Sequence, residues 1–480
     1  MSEPGQPAAG QPAAATTDGP ASSAAGTPAA GTPAAASPDA PQGDRPTDPA
    51  RRRFFREFAQ ELFQTAATVV GAATALQRSS AEAAGAILNP SATFLPPVVD
   101  ETAPTIHVAP PVGFRTAFRL DDERLLLIDQ RRLPNQLVEI ECRTANDVAH
   151  EIREMTIRGA PAVGQAAALG LALTARRSRT SQPYARSAIV RAGSRTLLAA
   201  RPTSRYIHWT VDRLISRFDG FGASEEDGEA IATAMLDEAE AIVAEATADH
   251  GRLIEAGLGL LPPPGERPLA ILTHGSTGVL GGGQVGTALA IAVAAAQAGR
   301  ELVVYVDESR PNLEGARITT WELTQAGVQH VLIADGAAGW LLAAGRVDLV
   351  LVGAERIAAN GDTANDVGTY PLAAVAARHG VPFYVCAPLG CVDPDTSDGT
   401  RIPIEQRSAV EVTRLAGVPV APPETAVLNP VYDVTPHDLI RAFVNEEGII
   451  EPPFGRTIEA AIASRAARYP APPPREPAVP

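Results

Sequence analysis

The 480-residue chain contains no lysine, so all 40 of its Lys+Arg positions are arginine. That absence excludes Schiff-base catalysis and a Walker-type phosphate lysine. The three cysteines, Cys142, Cys386 and Cys391, are too few and too unevenly spaced for a disulfide framework or a structural zinc site. Reduced cytoplasm is the compartment they fit. No apolar run reaches the length of a membrane span, because charged or amide side chains interrupt the alanine-rich stretches. Cations are outnumbered by 55 Asp+Glu, and the formal net charge of −15 argues against a nucleic-acid surface, which needs clustered positive charge. Arg51-Arg52-Arg53-Phe54-Phe55 resembles a twin-arginine export signal, but Arg56, Glu57 and Glu61 fall where its apolar stretch should begin, so export is not expected.

What is present divides into segments. Residues 1–48 are Ala, Pro, Gly, Ser and Thr with near-repeats, too poor in large apolar groups to offset ordering entropy, and read as a disordered tail. Over 49–88, Phe54, Phe58, Leu62, Ala66, Val69, Ala73 and Leu76 recur at helical spacing. This amphipathic helix either docks a protein partner or packs on the chain's own folded part. A Pro-rich linker (89–111) leads to a mainly helical N-terminal subdomain (112–260). That subdomain opens on a hairpin at Thr116-Ala-Phe-Arg-Leu and Leu125-Leu-Leu-Ile-Asp, with helical stretches from Thr144 to about Ser178, Ser187 to Ala200, Ile207 to Phe218 and Gly228 to Ala256. Residues 261–464 alternate helices with buried-strand runs at Leu269, Glu301, His330, Leu349 and Pro382, the pattern of an α/β parallel sheet covered on both faces. A Pro-rich tail (465–480) closes the chain.

In such sheets ligands bind beyond the carboxyl ends of the strands, where the informative loops fall. Arg158-Gly159-Ala160-Pro and Arg201-Pro-Thr-Ser each set a guanidinium at a helix start, a place that favours anions, although either arginine is equally at home in a cap or a surface ion pair. Thr273-His274-Gly275-Ser276 follows the first buried strand, and its small residues permit close approach of a ligand to backbone. Glu314-Gly-Ala-Arg317 follows the second, and Gly353-Ala-Glu355-Arg356 ends the fourth, with Asn365 and Asp366 beyond it. A carboxylate at a buried strand end is a reasonable acid or base, since desolvation raises its pKa. The plainer alternative is that Glu355 and Asp307 neutralise Arg317 or Arg356.

In order and spacing, Leu127-Ile-Asp-Gln-Arg-Arg-Leu-Pro, Arg158-Gly-Ala-Pro-Ala, Arg201-Pro-Thr, Thr273-His, Asp307-Glu-Ser-Arg-Pro, Gly315-Ala-Arg317, Arg356-Ile-Ala-Ala-Asn-Gly-Asp and Gly368-Thr-Tyr resemble the methylthioribose-1-phosphate isomerase and translation initiation factor 2B family. The likeness covers roughly Val98 to Ser464 and runs closer to the isomerases. It implies a Rossmann-like C-terminal subdomain, a homodimer, a sugar-phosphate ligand without metal or cofactor, and aldose-to-ketose isomerisation in methionine salvage. Residue by residue it implies substrate binding at Arg158, Gly159, Ala160, Arg201, Glu314, Asn365 and Asp366, with Arg158 and Arg201 holding the phosphate. Four positions depart from the family: Gly275 stands for its catalytic cysteine, Glu355 for its catalytic aspartate, Glu314 for a ligand-binding glutamine, and Asp366 for a lysine. A carboxylate ~4 Å from a phosphate repels it by roughly 4 kcal/mol per charge pair at an effective dielectric near 20. The departures therefore imply either an atypical isomerase or a re-purposed relative that binds a ligand or protein, as initiation-factor subunits do. Asp366 is expected to pair with Arg158 or Arg201. Ser276, His274 and Cys391 are the candidates to replace the thiol, and a metal on Glu314, Glu355 and Asp366 is disfavoured by the adjacent arginines.

Overall fold

The computed structural model describes residues 116–469, apart from 223–226 and 416. The N-terminal tail, the helix expected over 49–88 and the linker lie outside the described residues. The described chain enters through an antiparallel three-stranded sheet of β1 (Phe118–Asp121), β2 (Arg124–Ile128) and β3 (Glu139–Cys142). Helices α1 (Ala145–Arg153), α2 (Ala160–Arg177), α3 (Pro183–Leu198), α4 (Arg205–Asp219) and α5 (Gly228–Leu260) follow. The stretch expected to be helical from Thr144 to about Ser178 is two helices, because the backbone leaves the right-handed region at Met155 (φ 63°) and Gly159 (φ 85°), and the break carries Arg158. Every residue of α2 from Ala160 to Ala175 is buried, as expected of a helix apolar on all sides, and the neighbouring helices pack around it. Helix α5 serves two cores. Ile231, Met235 and Ile242 pack in the helical one, and Leu253 packs against the large sheet.

The rest of the chain supplies β4 (Leu269–Thr273), β5 (Leu302–Asp307), β6 (His330–Ile333), β7 (Leu349–Val352), β8 (Arg356–Ala358), β9 (Thr363–Asp366), β10 (Phe383–Cys386), β11 (Val392–Asp393), β12 (Arg414–Leu415), β13 (Val418–Pro419), β14 (Tyr432–Thr435), β15 (Ala442–Asn445) and β16 (Gly448–Ile450). Interleaved helices are α6 (Val279–Gly282), α7 (Ala288–Gln297), α8 (Thr320–Ala326), α9 (Ala337–Ala343), α10 (Thr369–Arg378), α11 (Val410–Thr413) and α12 (Phe454–Arg468). The large sheet runs β16-β15-β10-β7-β4-β5-β6, with every pair parallel except β15–β16. Alternation along β4 feeds two apolar layers, Ile271 with Leu253, Leu289 and Val304 on one face, Leu272 with Val350, Leu372 and Phe383 on the other. All five strands read from the sequence are in this sheet, which sequence reading left without its β15–β16 edge. Strand order reverses direction at β4, and the loops after β4, β7 and β10 line the crevice expected there. A second sheet, β11-β8-β9-β14, brings Asn365, Asp366 and Tyr432 to it. Among the described residues no helix is long and apolar enough to cross a membrane.

Candidate active site

The crevice holds a narrow cavity whose lining includes Arg158, Gly159, Ala160, Arg201, Ser276, Glu355, Asn365, Asp366 and Tyr432. Gly159 ends the break before α2, and a Cβ there would sit 2.3 Å from the Gly281 carbonyl oxygen. The close crossing of these two backbones aims the positive N-terminus of the 18-residue α2 into the cavity beside two guanidiniums. Arg158 and Arg201 are each 4% exposed. Burial lowers the Arg158 pKa to about 10.

Two carboxylates meet Arg158. Glu314 makes a short ion pair with Nη1, and Asp366 Oδ1 lies 3.4 Å from Nη2. Glu314 reaches it because Ser309 (φ 60°) and Leu313 (φ 59°), both in the left-handed region, fold the loop after β5 back on itself. The Asp366 pairing is therefore to Arg158. Arg201 packs against the Met155 sulfur and has no carboxylate within ion-pair distance among the described residues. Glu355 is 5% exposed, its Oε1 has no hydrogen-bond partner, and burial raises its pKa against the opposing pull of Arg201.

Neither Glu355 nor Asp307 neutralises the neighbouring arginines. Arg356 is held by Asp393, with Nε to Oδ2 at 2.9 Å. Arg317 donates to the carbonyls of Asn312, Gln130 and Leu133 and so clamps the Asp129-to-Pro134 turn onto the second half of the fold. Asp307 accepts from His274 Nδ1 at 3.2 Å, while His274 Nε2 faces the Val367 carbonyl at 3.0 Å. With Asp307 ionised, both ring nitrogens meet acceptors, an arrangement that suits the doubly protonated imidazolium. Burial alone would lower the His274 pKa, but Asp307, with Asp366 and Asp335 behind it, carries it up to about 9.

Gly275 has φ 79°, and a Cβ there would sit 2.5 Å from Asp366 Oδ2. The space that a side chain at this position would fill is occupied by the Asp366 carboxylate. Of the groups weighed as substitutes for a thiol, Ser276 lines the cavity, His274 has both nitrogens engaged, and Cys391 is fully buried outside the lining. Glu314 and Asp366 converge on an arginine, so they do not form an oxygen cage with Glu355. The ligating atoms of His274, Asp307 and Asp335 lie within 4.8 Å of one another. They do not suit a cation, because the imidazole is already bonded on both sides and the Asp335 oxygens accept the Ser309 and Arg310 amides at 2.8 Å each.

Two contributors escaped sequence reading. Tyr432, 3% exposed, enters the cavity wall only through the pairing of β14 opposite Asp366 on β9, a long-range register with no local signal. Glu322, in α8, accepts the Val279 and Leu280 amides at 2.9 and 2.8 Å and fixes the glycine-rich loop after β4. Burial raises its pKa to about 7 against those two hydrogen bonds.

The model of the initiation factor 2 subunit family matches residues 156–452, a span that contains every cavity residue named above. The chain belongs to the initiation factor 2 subunit family. Within it, the chain is similar to methylthioribose-1-phosphate isomerases. It is 45% identical to that of Pelotomaculum thermopropionicum over 71% of this chain and 92% of the relative, and 43% identical to that of Chloroflexus aurantiacus over 70% and 94%. Among solved structures it resembles 5-methylthioribose 1-phosphate isomerase from Pyrococcus horikoshii OT3, with TM-score 0.66, 34% identity and coverage of 73% and 96%. It also resembles the delta subunit of translation initiation factor eIF-2B from A. fulgidus, with TM-score 0.62, 32% identity and coverage of 73% and 100%.

Proposed function

We propose that this family member is an aldose–ketose isomerase acting on a sugar 1-phosphate, with methylthioribose 1-phosphate, the compound in its relatives' names, as the substrate. The observation that carries the reading is Glu355, a buried carboxyl group with a free oxygen and a raised pKa, in one cavity with two arginines and a helix N-terminus. In this reading Arg158, Arg201 and the amides at Gly159 and Ala160 receive the phosphate once Asp366 turns off Arg158, and Asn365, with the displaced Asp366, faces the sugar. The substrate's ring oxygen must gain a proton as its bond to C1 breaks, hydrogen moves from C2 to the electron-poor C1 with its bonding pair, and the C2 hydroxyl loses a proton as it becomes the ketone. Glu355 gives the first proton and takes back the last, so it ends as it began. A carboxyl pKa raised toward neutrality suits both halves of that cycle. Two copies of the chain are expected to associate, which light scattering on the purified chain tests.

The reading is tested by supplying methylthioribose 1-phosphate to the full chain and following ketose formation by proton NMR. Ketose is expected from the wild type, and Glu355→Gln is expected to lower the rate at least about a hundredfold. An unchanged rate in the variant removes Glu355 from the chemistry.

A second reading, a re-purposed relative that binds rather than turns over, is favoured by one observation. Arg158 already has two carboxylate partners, and position 275 presents no side chain. Ligand binding with no ketose at stoichiometric enzyme would establish it.

A further inference from the structure

We propose that Asp366 is a specificity-determining residue that acts as the pocket's own anion: its carboxylate holds the place beside Arg158 that a ligand's phosphate would take, so phosphate-bearing ligands bind when Asp366 gives way. The inference rests on the reading of this cavity as a phosphate site.

Of the two carboxylates on Arg158, Glu314 is fixed and Asp366 is poised to move. The Glu314 side chain is 4% exposed, whereas that of Asp366 is 21% exposed and reaches the cavity from the end of β9. The main chain of Asp366 is held in place. Its carbonyl accepts from Thr369 Oγ1 at 2.6 Å, its strand pairs with β14, and the next carbonyl, of Val367, is bonded by His274. Displacement therefore requires only side-chain rotation. The carboxylate is also tolerated where it is only because position 275 is glycine, since its Oδ2 lies within 2.5 Å of where a Cβ would be. Gly275 and Asp366 form one spatial unit, in which the missing side chain makes room for the internal anion.

With Asp366 in place, the cavity offers an incoming anion the Arg201 guanidinium and the α2 N-terminus, with the Arg158 charge outweighed by Glu314 and Asp366 together. That balance favours a singly charged or neutral polyol over a phosphate dianion. The apparent affinity for a dianion is reduced by the fraction of molecules in which Asp366 has left Arg158.

The test is calorimetric titration of inorganic phosphate into the full chain, wild type against Asp366→Asn, with Asp366→Ala alongside so that a folding failure in one still leaves an informative variant. The expected result is binding at least about tenfold tighter in the variants, as for a competitor that occupies its site nine-tenths of the time. Measurable binding that is equal in all three proteins, or weaker in the variants, overturns the proposal and leaves the phosphate reading standing. Absence of phosphate binding in all three overturns both.

Discussion

Replacing Gly275 by alanine should destabilise the protein through two separable causes, of which one depends on Asp366. The Gly275 backbone is pinned on both sides, its N–H donating to Ser309 Oγ at 2.9 Å and its carbonyl accepting from Thr319 Oγ1 at 2.7 Å. It therefore cannot swing away to accommodate a new atom. At φ 79° an alanine costs about 1–2 kcal/mol for the left-handed conformation alone. Its Cβ would also sit 2.5 Å from Asp366 Oδ2, so Asp366 must either crowd it or rotate off Arg158 and lose that charged contact, which adds about 1–3 kcal/mol. The total for Gly275→Ala is then about 2–5 kcal/mol, whereas in an Asp366→Ala background only the conformational part, about 1–2 kcal/mol, remains. Urea unfolding of the four proteins of this double-mutant cycle, at one pH, should give a coupling of about 1–3 kcal/mol. Additivity within about 0.5 kcal/mol would refute the claim that the two positions share one space.

His274 predicts a pH effect on stability. Its pKa in the folded chain is about 9 against an ordinary value of 6.5, so its contribution is fully present below pH 6.5 and is lost as the pH rises through 9. The loss is up to about 3 kcal/mol. Glu322, Glu446 and Asp433 are shifted upward by burial and also lose stability as they ionise, so the difference between wild type and His274→Gln across pH 7.5–10 removes their contribution and reports the His274–Asp307 pair. Parallel curves for the two proteins would show that His274 is not charged in the folded state. Glu322→Ala strands the buried Val279 and Leu280 amides and should cost about 2–4 kcal/mol, with Glu322→Gln milder because its carbonyl oxygen still accepts. Equal melting temperatures for wild type and Glu322→Ala would remove Glu322 as the anchor of that loop.

Much of this architecture was legible in the sequence because buried parallel strands are short continuous apolar runs, and each was followed by a loop with distinctive residues. Leu349–Val352 and the Glu355 loop are one example. The β15–β16 edge and the β11-β8-β9-β14 sheet were not legible, since their two- to four-residue strands carry no periodicity of their own and exist only through pairing. The same holds within the site. Arg158, Arg201 and Glu355 stood out by their places at helix starts and a strand end, but the roles of Arg317 and Arg356 as clamps depend on partners far along the chain. That Asp366 fills the space above Gly275 follows from a left-handed turn after β4 meeting the end of β9, a tertiary fact with no local trace. Sequence reasoning did expect Asp366 to pair with Arg158 or Arg201 on charge alone, and charge alone could not choose between them.

The central claim is that Glu355 makes this cavity an isomerase despite the glycine at position 275. Its most direct test is a single-turnover experiment, with full-chain enzyme in excess over methylthioribose 1-phosphate and the phosphorus NMR signal followed in time. The account predicts conversion of the anomeric phosphate signal to that of a primary phosphate ester by the wild type, and at least about a hundredfold slower conversion by Glu355→Gln. An unconverted substrate signal at stoichiometric wild-type enzyme would contradict it.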